Sequence, residues 1–144
     1  MKYSLPEGYE LTEDQSRIDV IAAHGFLQDA YWSKNIPLET LRRAMDASFC
    51  LAVFHRRQQV AMARLITDYA TFSYLSDVYV LQEHRGRGLA RTMVAYFQDH
   101  PKLQGQRIWL LFTRDAHGVY QKLGWKASDH PERMLIRLDE SVYQ

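Results

Sequence analysis

At 144 residues, with 47% hydrophobic and 24% charged residues, the chain has the composition of one globular domain spanning 1–144, able to bury a sizeable core but without length for a separate substrate domain. A formal net charge of +1 gives no support to a nucleic-acid or membrane-surface role. No apolar run reaches membrane-spanning length, Met1 to Gly8 is polar and contains Pro6, and the single Cys50 cannot form an internal disulfide, so a reducing, cytoplasmic setting is expected.

In chain order, Tyr9 to Thr12 reads as a short first strand. Ile18 to Tyr31 reads as a helix through Ile18, Ile21, Ala22, Gly25 and Phe26, and Pro37 suits the first position of a second helix with Leu38, Leu41 and Met45 on one face. Ser48 to Phe54 and Val60 to Thr67 are strand-like runs joined by His55-Arg56-Arg57-Gln58-Gln59, a basic stretch expected to be a solvated hairpin turn. Cys50 sits in the first of these runs with no charge nearby, which suits a buried structural thiol. Thr71 to Leu81 is a third long strand, and it runs directly into Arg85-Gly86-Arg87-Gly88-Leu89-Ala90.

That turn has the properties of an anion site. A helix follows it, with Leu89, Met93, Tyr96 and Phe97 on an apolar face; its first amides have no intrahelical acceptor and lie at the positive end of the helix dipole. Glycines allow the backbone to approach a phosphate closely, and Arg85, Arg87 and Arg91 add positive charge. A Rossmann fingerprint fails, because Arg91 stands where its third glycine belongs, and a P-loop fails for want of Gly-Lys-Ser/Thr. Further on, Ile108 to Phe112 is an apolar run of strand length, and Asp115 is placed to cap a short helix containing Ala116, Val119, Tyr120 and Leu123. Gly124 is placed to end that helix in the left-handed conformation, and Glu132 to Leu138 reads as a closing strand.

Arg85-Gly86-Arg87-Gly88-Leu89-Ala90 resembles the Arg/Gln-x-x-Gly-x-Gly/Ala pyrophosphate loop of the GNAT acetyltransferase superfamily. Ala116-His117-Gly118-Val119-Tyr120-Gln121-Lys122-Leu123-Gly124-Trp125 is similar to the Ala-x-x-x-Tyr-x-Lys-x-Gly-Phe signature of the same superfamily, and the two strings follow in the right order. The resemblance implies an α/β GNAT fold: a mixed, mostly antiparallel sheet of six to seven strands flanked by about four helices, with one crossover at Arg85 to His100. It also implies acetyl-CoA-dependent N-acetyltransfer to a primary amine of a small molecule or peptide, by direct attack in a ternary complex, in a monomer or homodimer. The six histidines show no ligand-pair spacing, so no metal is expected.

The family pattern assigns roles by position. Backbone groups around Val78, Tyr79 and Val80 would pair with the pantetheine arm, Arg85 to Ala90 would hold the diphosphate, and Thr113 stands where an Asn commonly meets the pantetheine. Tyr120 matches the proton donor: the leaving thiolate has a pKa near about 8.5 by analogy with cysteine, and a phenol near about 10 suits it. The other reading of Tyr120 is a core aromatic. The general base is open among Asp77, Tyr79 and His117. Asp77 alternates with Val78 and so should share a sheet face with Leu75 and Tyr79, where a salt bridge is the competing role; His117 could instead be a structural hydrogen-bonding group. The acceptor pocket is expected from Tyr31, Trp32, Asp68, Tyr69, Phe72 and Tyr74, with an acidic residue for an ammonium group. The alternative function is a non-catalytic acyl-CoA-binding or sensor domain of the same fold.

Overall fold

The computed structural model describes residues 4–144. Five strands, β1 (Tyr9–Thr12), β2 (Phe49–His55), β3 (Gln58–Thr67), β4 (Phe72–Val80) and β5 (Ile108–Leu111), lie side by side in sequence order. The first three pairings are antiparallel and β4–β5 is parallel. Parallel pairing requires a crossover. It is made by α3 (Leu89–Asp99), whose Leu89, Met93, Val94 and Phe97 are buried against one face of the sheet. On the opposite face, α1 (Val20–Leu27) and α2 (Leu38–Asp46) bury Ala23, Leu27, Leu41 and Met45 against Cys50, Met62 and Tyr79. β3 is covered on both sides, which is why Val60 to Ala63 form an unbroken apolar run rather than an alternating one. A short helix, α4 (His117–Gln121), follows β5. Among the described residues no helix is long and apolar enough to cross a membrane.

Several expectations are corrected by local chemistry. The sheet has five strands, not six to seven: Glu132 to Leu138 forms no strand, and Pro131–Arg133 is a single 3₁₀ turn. α1 stops at Leu27 instead of Tyr31. Asp19 caps its start by accepting from the Ala22 amide, and Ser33 Oγ donates to the Leu27 carbonyl, so the chain turns and delivers Tyr31 and Trp32 to the end of the sheet. Asp115 does not cap α4; the turn into it is held by Thr113 Oγ1, which accepts from the Ala116 amide. The far end of α4 is as expected. Gly124 is left-handed (φ 94°), its amide reaches the Gln121 carbonyl and the Trp125 amide reaches the Tyr120 carbonyl, a Schellman pair.

The most consequential correction lies in β4. Arg64 pairs with Asp77 but Leu65 pairs with Leu75, so Ser76 is an extra residue and the strand bulges there. The bulge reverses the facing of everything before it: Leu75 joins the α3 side, while Asp77 and Tyr79 face α1, so Asp77 and Leu75 do not share a face.

Candidate active site

Pairing between β4 and β5 ends at Leu75–Leu111, leaving the second half of β4 without a neighbour on that side. Leu81 donates to the Val60 carbonyl, so by antiparallel alternation Tyr79 and Asp77 direct their backbone groups to β3, and Val78 and Val80 direct theirs to the open side. Here lies a cleft of about 930 Å³, lined by Val78, Tyr79 and Val80, by Arg85, Gly86, Gly88, Leu89 and Ala90 at the start of α3, and by Tyr120 on α4. Gly86 and Gly88 are both left-handed at φ 77°. Both positions favour glycine on backbone grounds, and a Cβ on Gly88 would in addition sit 3.1 Å from the mobile tip of Arg91, at Nη2. Arg85 Nε donates to the Val80 carbonyl at 3.0 Å and ties the turn to the strand end. Arg87 lies over the Tyr9 ring, away from the cleft.

A second, smaller cavity of about 290 Å³ adjoins the first. Its polar floor is Asp77, 5% exposed, whose Oδ2 accepts from Arg64 Nε at 2.6 Å and whose Oδ1 accepts from Trp32 Nε1 at 2.7 Å. Arg64 in turn donates to Ser48 Oγ and to Oγ of the bulge residue Ser76. Two of the carboxylate's roughly four lone-pair sites are thereby used. Aromatic side chains of Tyr31, Trp32, Tyr74, Phe112 and Tyr143 make the walls, and Thr113 is also present. Tyr31 further bridges to the loop before α4, its hydroxyl accepting from the Arg114 amide while the Arg114 guanidinium lies 3.7 Å from its ring centre.

Tyr31, Trp32, Val78, Asp115, Ala116 and Tyr120 line both cavities. Tyr120 is therefore on the partition between them. Burial, reinforced by Tyr31, raises its phenol above the ordinary value, which keeps it protonated across the neutral range. Its ring rests against Trp125, whose Nε1 donates to Gln98 of α3, so the helix carrying Tyr120 is pinned to the sheet's crossover.

Other candidates fall elsewhere. His117 is exposed and lines neither cavity. Tyr79 stacks on Phe26 (4.5 Å), accepts from Gln59 Nε2, and has its hydroxyl pushed up to about 12 by burial. Asp68 lies outside the smaller cavity: its carboxylate accepts from the amides of Ala70, Thr71 and Phe72 and from the Thr71 hydroxyl, closing the β3–β4 turn. Tyr69 and Phe72 also lie outside it. Cys50 is fully buried and its thiol is raised to about 12 by desolvation, as suits a structural group. Arg64 and Asp115 were not anticipated at the site. Arg64 had a signal, a lone charge in an otherwise apolar strand.

Comparison with known proteins fits this geometry. Residues 10–125 match the acetyltransferase (GNAT) family. A Gibberella zeae protein described as a candidate acetyltransferase is 30% identical over 142 residues, covering 82% of this chain and 79% of that one. The crystal structure of a GNAT-family protein from Xanthomonas campestris pv. campestris superposes with a TM-score of 0.89 at 40% identity, covering 97% and 99% of the two chains. A GNAT protein from Elizabethkingia anophelis, solved with acetyl-CoA bound, shares the fold at a TM-score of 0.66 and 12% identity, over 86% and 80%.

Proposed function

The chain belongs to the GNAT acetyltransferase family, and from that premise we propose that it transfers an acetyl group from acetyl-CoA to a primary amine of a small molecule or peptide, by direct attack in a ternary complex. The observation that carries this reading is the placement of Tyr120 on the wall common to two cavities, one suited to a long phosphorylated arm and one to a compact acceptor.

The larger cleft fits coenzyme A on its own features. Two left-handed glycines expose the first amides of an eleven-residue helix, where a diphosphate is favoured, and the open edge of β4 offers the Val78 backbone groups and the Val80 amide to a pantetheine arm, the Val80 carbonyl already accepting from Arg85 Nε. When bound, the thioester supplies an activated acyl group. Tyr120 lines both cavities and burial raises its phenol, so with the thioester in the cleft it would donate a proton to the departing sulfur. Thr113 lines the smaller cavity and not the cleft; its Oγ1 accepts from Ala116 and its own proton is left to donate to a group bound there.

An alkylammonium has a pKa of about 10.4, so the acceptor must lose a proton before attack. Tyr79 is too weak an acid–base group at neutral pH, and His117 lies outside both cavities. That leaves Asp77, whose remaining lone pairs can orient the ammonium or accept its proton through water. The test is acetyl-CoA consumption against a panel of primary amines, with direct binding of acetyl-CoA measured in parallel. Amine-dependent release of free thiol supports an enzyme. Tight binding without turnover on any amine would make the chain a sensor of the same fold, and absence of binding would overturn the cleft assignment.

A further inference from the structure

We propose that the acceptor is a free small-molecule amine, a primary ammonium on a small aromatic body that carries no acidic group, and not an amino acid, a phosphorylated amine or a peptide. The inference rests on the amine-acetylation reading above and narrows its substrate to one class. The smaller cavity, at about 290 Å³, lies near the lower end of the range for small-molecule sites. Its aromatic walls include two edge-to-face pairs, Tyr31 with Trp32 at 5.1 Å and 83°, and Tyr74 with Phe112 at 5.9 Å and 85°. Each pair sets a ring face beside a ring edge. A further ring packs on such a surface edge-on or offset, and an ammonium is attracted to the faces. Tyr143 adds another ring to the lining.

Charge selects against an acidic acceptor. Among the described residues the cavity is lined by one cationic side chain, Arg64, and by two carboxylates, Asp77 and Asp115. All three Arg64 nitrogens are engaged: Nε donates to Asp77, Nη1 to Ser48 and Nη2 to Ser76. A carboxylate or phosphate on the acceptor would enter a lining with negative charge in excess, and burying an unpaired charge is costly. A primary ammonium meets the reverse, because the remaining lone-pair sites of Asp77 accept charge-assisted hydrogen bonds. Polar capacity selects against a peptide. Backbone N–H and C=O groups need partners wherever they are buried. Here Ser33 Oγ donates to the Leu27 carbonyl, Thr113 Oγ1 accepts from the Ala116 amide and the Tyr31 hydroxyl accepts from the Arg114 amide, so the lining's polar atoms are largely turned to the protein itself. The Tyr31–Arg114 contact also joins the segment after α1 to the loop before α4, clasping two lining segments that a groove for an extended chain would hold apart.

Isothermal titration of the chain saturated with coenzyme A, which has no acetyl group to give, measures acceptor binding apart from turnover. Phenethylamine should bind at least about tenfold more tightly than phenylalanine, the same body with a carboxylate, and than a short peptide beginning with phenylalanine. Phe112→Ala should weaken phenethylamine binding by about fivefold and leave coenzyme A affinity unchanged, since Phe112 is exposed and lines only the smaller cavity. Equal binding of phenylalanine or of the peptide, no binding of phenethylamine, or an indifferent Phe112→Ala would each overturn the inference. Replacing coenzyme A by acetyl-CoA then separates the acceptor class from the reading on which it rests. Thiol release in the same order supports both. Binding in that order without thiol release leaves the acceptor class standing and removes acetyl transfer, whereas thiol release with the peptide but not with phenethylamine keeps acetyl transfer and removes the acceptor class.

Discussion

Tyr120 is the residue on which the proposed chemistry turns, and removing only its hydroxyl separates chemistry from packing. The ring contact with Trp125 survives in Tyr120→Phe, so folding and acetyl-CoA affinity should be retained. General acid catalysis is typically worth about 10²–10⁴-fold, and kcat and kcat/KM should fall together by that order. Steady-state kinetics with a viscosity control checks this; a folded, binding-competent variant within about twofold of wild type, with chemistry rate-limiting, would make Tyr120 a packing residue. The Arg64–Asp77 pair calls for a different experiment. With side chains only 12% and 6% exposed, loss of one partner strands a buried charge. Asp77→Ala should therefore destabilise by about 3–5 kcal/mol in urea unfolding, whereas replacing both partners with apolar residues of similar volume should cost much less. Both side chains were readable as lone charges in apolar strands. Their partnership was not, because it depends on a one-residue bulge at Ser76 that no periodicity reveals.

At the scale of elements, the α3 N-terminus is a stringent part of the cleft. Gly88→Glu would place a side chain at φ 77° and within 3.1 Å of Arg91, and Gly86→Asp would add a negative charge in the same turn. Each should abolish the thermal stabilisation given by saturating acetyl-CoA; an undiminished shift in a folded variant would remove the diphosphate assignment. The β3–β4 turn makes a pH prediction. Hydrogen bonds from Thr71, first through its hydroxyl and then its amide, with further amides of Ala70 and Phe72, hold the Asp68 carboxyl well below the usual range. A depressed folded pKa stabilises above the unfolded value of about 3.9, and that stabilisation is lost as pH falls through the folded value. Asp68→Ala should therefore flatten the fall in stability below about pH 4, as read from melts across that window. Elements whose partners are local were legible: α3 by its apolar face, and the end of α4 by Gly124. The start of α4 was not, since Thr113 rather than Asp115 takes the amide. The reading of Glu132–Leu138 as a closing strand was wrong, because a strand pattern becomes a strand only where an edge pairs with it, and among the described residues none does.

For the whole molecule, the mostly antiparallel front and the single crossover followed from sequence, because the β2–β3 and β3–β4 hairpins and one long connection leave few alternatives. The two cavities did not, because they arise where β4 and β5 separate and where Tyr31 and Trp32 arrive from the end of α1, contacts made across long sequence separations. The same architecture keeps stability and ligand binding apart. Leu51 on β2 is fully buried on the α3 side and lines neither cavity. Leu51→Ala should cost about 2–5 kcal/mol through lost burial and the cavity left behind, and Tm should fall by on the order of 10 °C for a chain of this size. Ligand stabilisation depends only on concentration relative to Kd, about 2.7 kcal/mol at a hundredfold excess over Kd. The variant should therefore melt lower yet be stabilised by acetyl-CoA by the same free energy as the parent. Measured by melts with and without ligand, an equal increment places the cleft on a part of the sheet that does not feel the β2 core, and a lost increment would show that splaying of β4 from β5 is held by packing two strands away.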